Sequence, residues 1–246
     1  MGYREFAAPP RLRAYVECGW TSDETVSPVR VLPDGCMDLY VAGEDGPAMV
    51  AGPDTVANLS GPSTERLQGL RFRPGVLPRL LGVPAHELRD RRVRLDDVLG
   101  IRPHGGSLAG LAAELADDVR ASETAPWSMA HLTQITGGLA AGATVADLAT
   151  ATGMSSRTLQ RRCRAVYGYG PSTLRRVLRF RRAVTLMRSG QPLAAVAADA
   201  GYSDQPHLHR EAREFSGLPL STLATDQLGR GANTSIDVPS GSVTVA

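Results

Sequence analysis

The chain has 246 residues, 42% of them hydrophobic and 21% charged, enough for one large domain or two small ones. No apolar run approaches the roughly 20 residues of a membrane span and no basic-then-apolar leader opens the chain, while three cysteines (Cys18, Cys36, Cys163) without CxxC spacing argue against a disulfide framework or a structural zinc site. The chain therefore reads as soluble and cytoplasmic, with no membrane partner and no metal or other cofactor expected, and its formal charge of +2 conceals a division: residues 1–125 hold 14 arginines against 18 acids, residues 126–246 hold 13 against 7.

Residues 1–75 lack helical periodicity and are broken by turn formers, Asp34-Gly35 and Asp45-Gly46 among them. Between those turns Cys36–Val41 alternates, with Met37, Leu39 and Val41 on one face and Cys36, Asp38 and Tyr40 on the other. Ala48–Ala51 fits the return strand of a hairpin, Leu67–Arg73 a further strand ended by Pro74-Gly75, and Val29–Leu32 a fourth. Short strands at this spacing predict a small antiparallel sheet or partial barrel. From Val76 the texture turns helical: Val76–Leu81 is stopped at Gly82, a second helix starts at Pro84, and Ser107–Ala116 places Leu108, Leu111, Ala112 and Leu115 on one stripe. His104-Gly105-Gly106 lacks the flanks of a nucleotide site and reads as a plain turn. The expected domains are a front domain over 1–120, a linker over 121–128, a helical domain over 129–226, and a disordered tail over 227–246.

The helical domain holds one pattern twice. The first copy runs Val145-Ala-Asp-Leu-Ala-Thr-Ala-Thr-Gly153-Met-Ser-Ser-Arg-Thr-Leu159, the second Leu193-Ala-Ala-Val-Ala-Ala-Asp-Ala-Gly201-Tyr-Ser-Asp-Gln-Pro-His-Leu208. Each is a small-residue helix, a corner glycine, an apolar residue, a serine and a second helix, the layout of a helix-turn-helix whose second helix enters the DNA major groove. The copies align at an offset of 48 up to Ser155 and Ser203 and of 49 from Leu159 and Leu208 onward. Between them Pro171–Met187 forms a connector helix with Leu174, Val177, Leu178, Val184 and Met187 inward, while Arg175, Arg179 and Arg182 share another face. Residues 144–188 carry ten arginines against Asp147 alone. A charge run is ordinarily a solvated helix face, yet this one has no acids of its own to pair with, and phosphate is the natural counter-charge.

Residues of about 130–224 resemble the DNA-binding domain of the AraC/XylS regulators, through Ala149…Gly153-Met-Ser-Ser-Arg-Thr-Leu-Gln-Arg161 and Ala197…Ala200-Gly-Tyr-Ser-Asp-Gln-Pro-His-Leu-His-Arg210-Glu…Phe215-Ser-Gly-Leu-Pro219. The resemblance implies an α+β chain: a front antiparallel sheet with helices, then an all-α domain of two helix-turn-helix units. It implies recognition helices over about 156–166 and 204–214, presenting Arg157, Gln160 and Arg161 from the first and Gln205, His207, His209 and Arg210 from the second to base edges. Arginine pairs bidentately with guanine and glutamine with adenine. Arg162, Arg164, Arg175 and Arg179 then fall to phosphates, which set register and salt dependence. His207 and His209, two apart on a helix, point to different faces and do not form a metal pair. Cys163 and Ala212 stand where the family usually carries a large apolar residue, which implies a looser or differently packed core.

The front half, through Pro10–Trp20, Val31–Leu39, Leu70–Gly75 and Leu81–Pro84, resembles a small domain that precedes this module in actinobacterial-type regulators. That implies a sensory or dimerising role, with double-stranded DNA, RNA polymerase, an unknown small-molecule effector and a second copy of the chain as partners. Some relatives of the module accept an alkyl group from DNA on a thiol, which raises an enzymatic alternative at Cys36. Asp34 and Asp38 beside it raise a thiol pKa, however, and the chain is read as a regulator and not an enzyme. The other alternative is a redox or electrophile sensor at Cys18 or Cys36.

Overall fold

The computed structural model describes residues 2–24, 28–100, 106–117 and 123–224. The expected disordered tail over 227–246, the Ala121-Ser122 start of the expected linker and His104-Gly105 lie outside the described residues.

Among the described residues of the front half eight strands form: β1 (Arg4–Ala7), β2 (Val16–Ser22), β3 (Val29–Val31), β4 (Met37–Ala42), β5 (Met49–Ala51), β6 (Asn58–Ser60), β7 (Leu67–Phe72) and β8 (Arg92–Arg94). Six of them make one open, wholly antiparallel sheet in the order β1-β2-β7-β4-β5-β8, and β3 and β6 pair separately as a ribbon. The alternation read at 36–41 sets the two faces of this sheet. Leu39 is in register with Val50 and Leu70, and Met37 with Phe72, so these buried side chains share the apolar face. Trp20, Gly69, Tyr40 and Met49 form one row across the opposite face; Cys18, Arg71, Asp38, Ala51 and Arg92 form the next.

Four strands (β1, β2, β6, β8) were not expected. In β2, Val16, Cys18 and Trp20 alternate with Glu17, Gly19 and Thr21, a short pattern interrupted by Gly19, and β6 and β8 are three residues each. The helix expected from Pro84 is a single 3-10 turn over Ala85–Glu87. Its chain must reverse into β8, which it does at Asp90 with φ of 58°, a conformation held by Thr55, whose backbone N–H donates to the Asp90 carboxylate at 2.7 Å.

The helices are α1 (Leu77–Leu81), α2 (Leu95–Leu99), α3 (Leu108–Asp117), α4 (Met129–Ala140), α5 (Val145–Thr152), α6 (Ser156–Tyr167), α7 (Pro171–Arg188), α8 (Leu193–Ala200), α9 (Gln205–Ser216) and α10 (Leu220–Ala224). The connector α7 starts on Pro171 and buries Leu174, Val177, Leu178, Val184 and Met187. One hydrophobic core runs through both halves, from Leu39 and Phe72 by way of Val166 and Tyr167 to Leu208 and Phe215. The halves touch closely. Gly75, with φ of 79°, closes the turn after β7, where a Cβ would come within 2.6 Å of Val166 Cγ1. Trp127, at the end of the expected linker, is buried 6.3 Å from the Tyr167 ring, and Arg79 Nη1 donates to its carbonyl at 2.6 Å.

Candidate DNA-binding surface

Each helix-turn-helix is written in caps and corners. Thr144 and Asp147 form a capping box that starts α5, Gly153 turns the corner at φ of 63°, and Ser155 starts α6 by accepting the Thr158 N–H at 3.2 Å. In the second unit Gly201 turns the corner at φ of 83°, and Asp204 caps α9 by accepting the His207 N–H at 2.6 Å. Ser155 and Asp204 are 49 apart, whereas Ser155 and Ser203 are 48 apart. The one-residue change of offset is thus an insertion in the second turn, and the capping role moves from serine to the aspartate behind it.

On α6, Arg157, Arg161 and Arg164 are exposed along one stripe, opposite the buried Leu159, Cys163 and Val166. Among the described residues no carboxylate pairs with any of the three. Gln160 is exposed, but its carboxamide lies over Gly170, where a Cβ would meet its Nε2 at 2.2 Å. Arg162 is half-buried and donates to Met154 Sδ at 3.1 Å. On α9, Gln205, His209 and Arg210 are exposed, with 3.4 Å between Gln205 Nε2 and His209 Nε2.

His207 faces inward. Its Nδ1 lies 3.1 Å from Ser203 Oγ, its ring stands edge-on to Tyr202 at 5.1 Å, and its Nε2 is 3.4 Å from Arg179. Arg179 in turn lies 4.4 Å over the Tyr202 ring and donates to both Glu211 oxygens, at 3.2 and 2.7 Å. Arg176 donates to Glu211 at 2.9 Å and to Glu214 at 2.6 Å, and Arg181 donates to Glu17 at 2.7 Å. Among the described residues, Arg176, Arg179 and Arg181 thus have carboxylate partners from outside the 144–188 stretch, so phosphate is not the nearest counter-charge for these three. Burial works against ionisation of Glu211, but the hydrogen bonds from Arg179 and Arg176 outweigh it and hold the carboxyl below its ordinary range. Glu211 was legible in one respect: it sits on the inner stripe of α9 with Leu208, Ala212 and Phe215. Cys163 and Ala212 are both fully buried, and Phe180 packs on Phe215 with ring centroids 5.3 Å apart.

The front domain holds the last turns of both recognition-type helices. Arg89 Nη1 donates to the carbonyl of Gly168, the C-cap of α6, at 3.3 Å. Arg30 Nη1 donates to the Ser216 carbonyl and the Ala57 N–H to the Phe215 carbonyl, both at 2.6 Å, at the end of α9. Helix C-termini leave carbonyls unpaired and carry negative dipole, so a cation is a natural partner.

The thiols are sheltered. Burial pushes Cys18 up to about 12, and burial with Asp34 and Glu17 beside it pushes Cys36 well above the ordinary thiol value. Cys36 Sγ donates to Glu17 at 3.3 Å. Arg181 Nη1 also donates to Cys36 Sγ at 3.6 Å, and Arg71 pulls both thiols toward ionisation, but burial outweighs these cations. Among the described residues no cluster of histidine, cysteine and acid side chains is arranged to hold a metal ion, and no helix is long and apolar enough to cross a membrane.

Residues 148–225 match the family described as helix-turn-helix domain. The chain carries an AraC-type DNA-binding domain. Residues 4–94 match a domain of unknown function, DUF6597, so this AraC-type module stands behind a second, distinct domain. The chain is a DNA-binding transcription regulator. No curated protein matches it in sequence. Among solved structures it is similar to a probable AraC family transcriptional regulator from Rhodopseudomonas palustris CGA009, at 26% identity over 37% of this chain and 91% of that one, with a TM-score of 0.33. It is also similar to ToxT from Vibrio cholerae, at 9% identity over 91% of this chain and 98% of that one, with a TM-score of 0.48. A ToxT structure bound to (E)-4-(8-methylnaphthalen-1-yl)but-3-enoic acid matches at 9% identity over 92% of this chain and 100% of that one, with a TM-score of 0.47. Likenesses this loose add nothing to the two domain matches.

Proposed function

We propose that this AraC-type regulator reads its operator with α6 and α9 in successive major-groove segments, one helical turn or about 34 Å apart. The observation that carries this reading is the stripe of Arg157, Arg161 and Arg164, exposed and, among the described residues, free of carboxylate partners on the helix that follows the Gly153 corner. Arg157, Gln160 and Arg161 on α6, and Gln205, His209 and Arg210 on α9, meet base edges. Arg162, Arg164 and Arg175 meet phosphates. His207 and Arg179, both engaged with Tyr202, fix the angle of α9 on α7 and add a weaker contact of their own. The front domain modulates binding through its hold on the ends of both helices, and a second copy of the chain and RNA polymerase are the protein partners this reading implies.

Selection of bound fragments from genomic DNA by the purified protein, at stated salt, tests it. A motif with two contacted segments one turn apart, weakened in both Arg161→Ala and Arg210→Ala, is the expected result. Binding that is salt-sensitive yet without sequence preference would mean that these helices do not read bases.

A further inference from the structure

The polar face of the front sheet is not packed against the core. Between it and the β3–β6 ribbon lies a cleft of about 590 Å³, lined from the sheet side by Trp20, Tyr40, Asp38 and Asp23 and from the ribbon by Val29 and Val31. A cleft of this volume suits a small ligand. Its floor is built. Gly69 sits between Trp20 and Tyr40 in the strand register, and a Cβ there would fall 2.4 Å from the indole ring, so the glycine makes room for the tryptophan to lie on the sheet. The indole Nε1 donates to Asp38 Oδ1 at 2.8 Å, and the Trp20 and Tyr40 ring centroids are 6.1 Å apart.

The charge on this face does not balance. Arg71, 1% exposed, has Glu5, Asp34 and Asp38 within 2.7, 3.5 and 3.7 Å. Arg92 is committed to Asp54 by two bonds of 2.7 and 2.6 Å, and Glu17 is taken by Arg181. Among the described residues, four carboxylates (Glu5, Asp34, Asp38, Asp54) thus share two guanidiniums, and Asp23 has only the largely exposed Arg4 and Arg66 within 4.0 Å. Burial, with Asp34 adding to it, lifts the Asp38 carboxyl to about 6 against the pull of Arg71. Aromatic faces beside under-compensated carboxylates attract a cation and disfavour an anion.

The ribbon connects this cleft to α9. Val29 and Val31 point into the cleft, so Arg30 between them points away, to the Ser216 carbonyl. On the other strand Asn58 and Ser60 line the cleft, and Ala57 just before them bonds the Phe215 carbonyl.

We propose that the cleft between the six-stranded sheet and the β3–β6 ribbon binds a small organic cation among Trp20, Tyr40 and Asp38, and that Arg30 and Ala57 pass its occupancy to the end of α9. The binding half stands by itself; the transmission half rests on α9 being a recognition helix.

Calorimetric titration of the full chain tests the first half. The probes are choline, tetraethylammonium and benzyltrimethylammonium, set against 3,3-dimethylbutan-1-ol and 3,3-dimethylbutanoate, the neutral and anionic counterparts of choline. At least one cation is expected to bind saturably, at least tenfold tighter than the neutral and anionic probes, and to lose tenfold or more in Asp38→Asn. Tyr40→Leu replaces that variant should circular dichroism show it unfolded. Equal binding of the alcohol or the carboxylate, no saturable binding by any cation, or no loss in the folded variant overturns the proposal. For the second half, the bound cation is expected to change the affinity for the selected operator at least threefold in the wild type. In Arg30→Ala it is expected to bind as before with that change abolished. A cation that binds but shifts both proteins alike, or neither, overturns the route through the ribbon. Loss of sequence preference without any probe present is instead a failure of the recognition-helix reading, and leaves the cation measurement standing.

Discussion

Arg181 on the connector helix α7 reaches Glu17 on strand β2, 164 residues earlier, at 2.7 Å, and both side chains are largely buried, at 11% and 14% exposure. The pair ties the front sheet to the helix that joins the two helix-turn-helix units. Burial alone would raise the Glu17 carboxyl; the charge and hydrogen bond of Arg181 outweigh it and hold the group below its ordinary value. A carboxyl whose pKa is lower folded than unfolded adds stability above the unfolded value, roughly pH 4.3, and loses it as pH falls through the lower folded value. Thermal melts between pH 3 and 7 should therefore show a smaller loss on the acid side for Glu17→Gln than for the wild type. The variant should also melt lower at pH 7. An unchanged acid limb would show that the pair is not formed in solution.

Glu211 is the buried anion beneath Arg176 and Arg179. Removing one partner of a buried pair costs about 3–5 kcal/mol, and the partial exposure of Arg176 (35%) and Arg179 (18%) reduces that to about 1–3 kcal/mol for Glu211→Gln. Urea unfolding at pH 7 gives the value. A loss below about 0.5 kcal/mol would place the two arginines in solvent, free for phosphate.

The shift of the cap from Ser155 to Asp204 predicts an asymmetry between neighbours. Asp204→Ala should cost about 1 kcal/mol, or roughly 2–4 °C in Tm for a protein of this size, through loss of the α9 cap. Ser203→Ala, at an exposed position whose Oγ meets Asp204 and His207, should cost only a few tenths. Equal costs would show that the serine shares the capping.

Arg161 and Arg164 share the exposed stripe of α6, and the proposed reading gives them different roles. Arg161→Ala should lose about 1–3 kcal/mol, roughly 5- to 150-fold, on the operator and little on unrelated DNA. Arg164→Ala should weaken both equally and reduce the slope of log K against log salt by about one. Affinities at four salt concentrations on both DNAs separate the two outcomes.

Features set by neighbours in the chain were legible without a structure. The corner glycines Gly153 and Gly201, Pro171 at the start of α7 and the alternation of 36–41 each state a local backbone requirement, so the tandem helix-turn-helix and the central strands could be read directly. Strands β6 and β8 could not, because three residues are too few to establish a period. Side-chain partnership was equally hidden. The ten arginines of 144–188 look alike in sequence, yet Arg176, Arg179 and Arg181 are committed to carboxylates 35, 32 and 164 positions away, while Arg157, Arg161 and Arg164 have no carboxylate partner among the described residues. Coulomb attraction and hydrogen bonding depend on distance through space, at lengths of 2.6–3.2 Å that no spacing in the chain encodes. The amino-acid sequence determined which helices this regulator makes; only the tertiary structure decided which of their charges are paired with carboxylates, and which hold the two halves together.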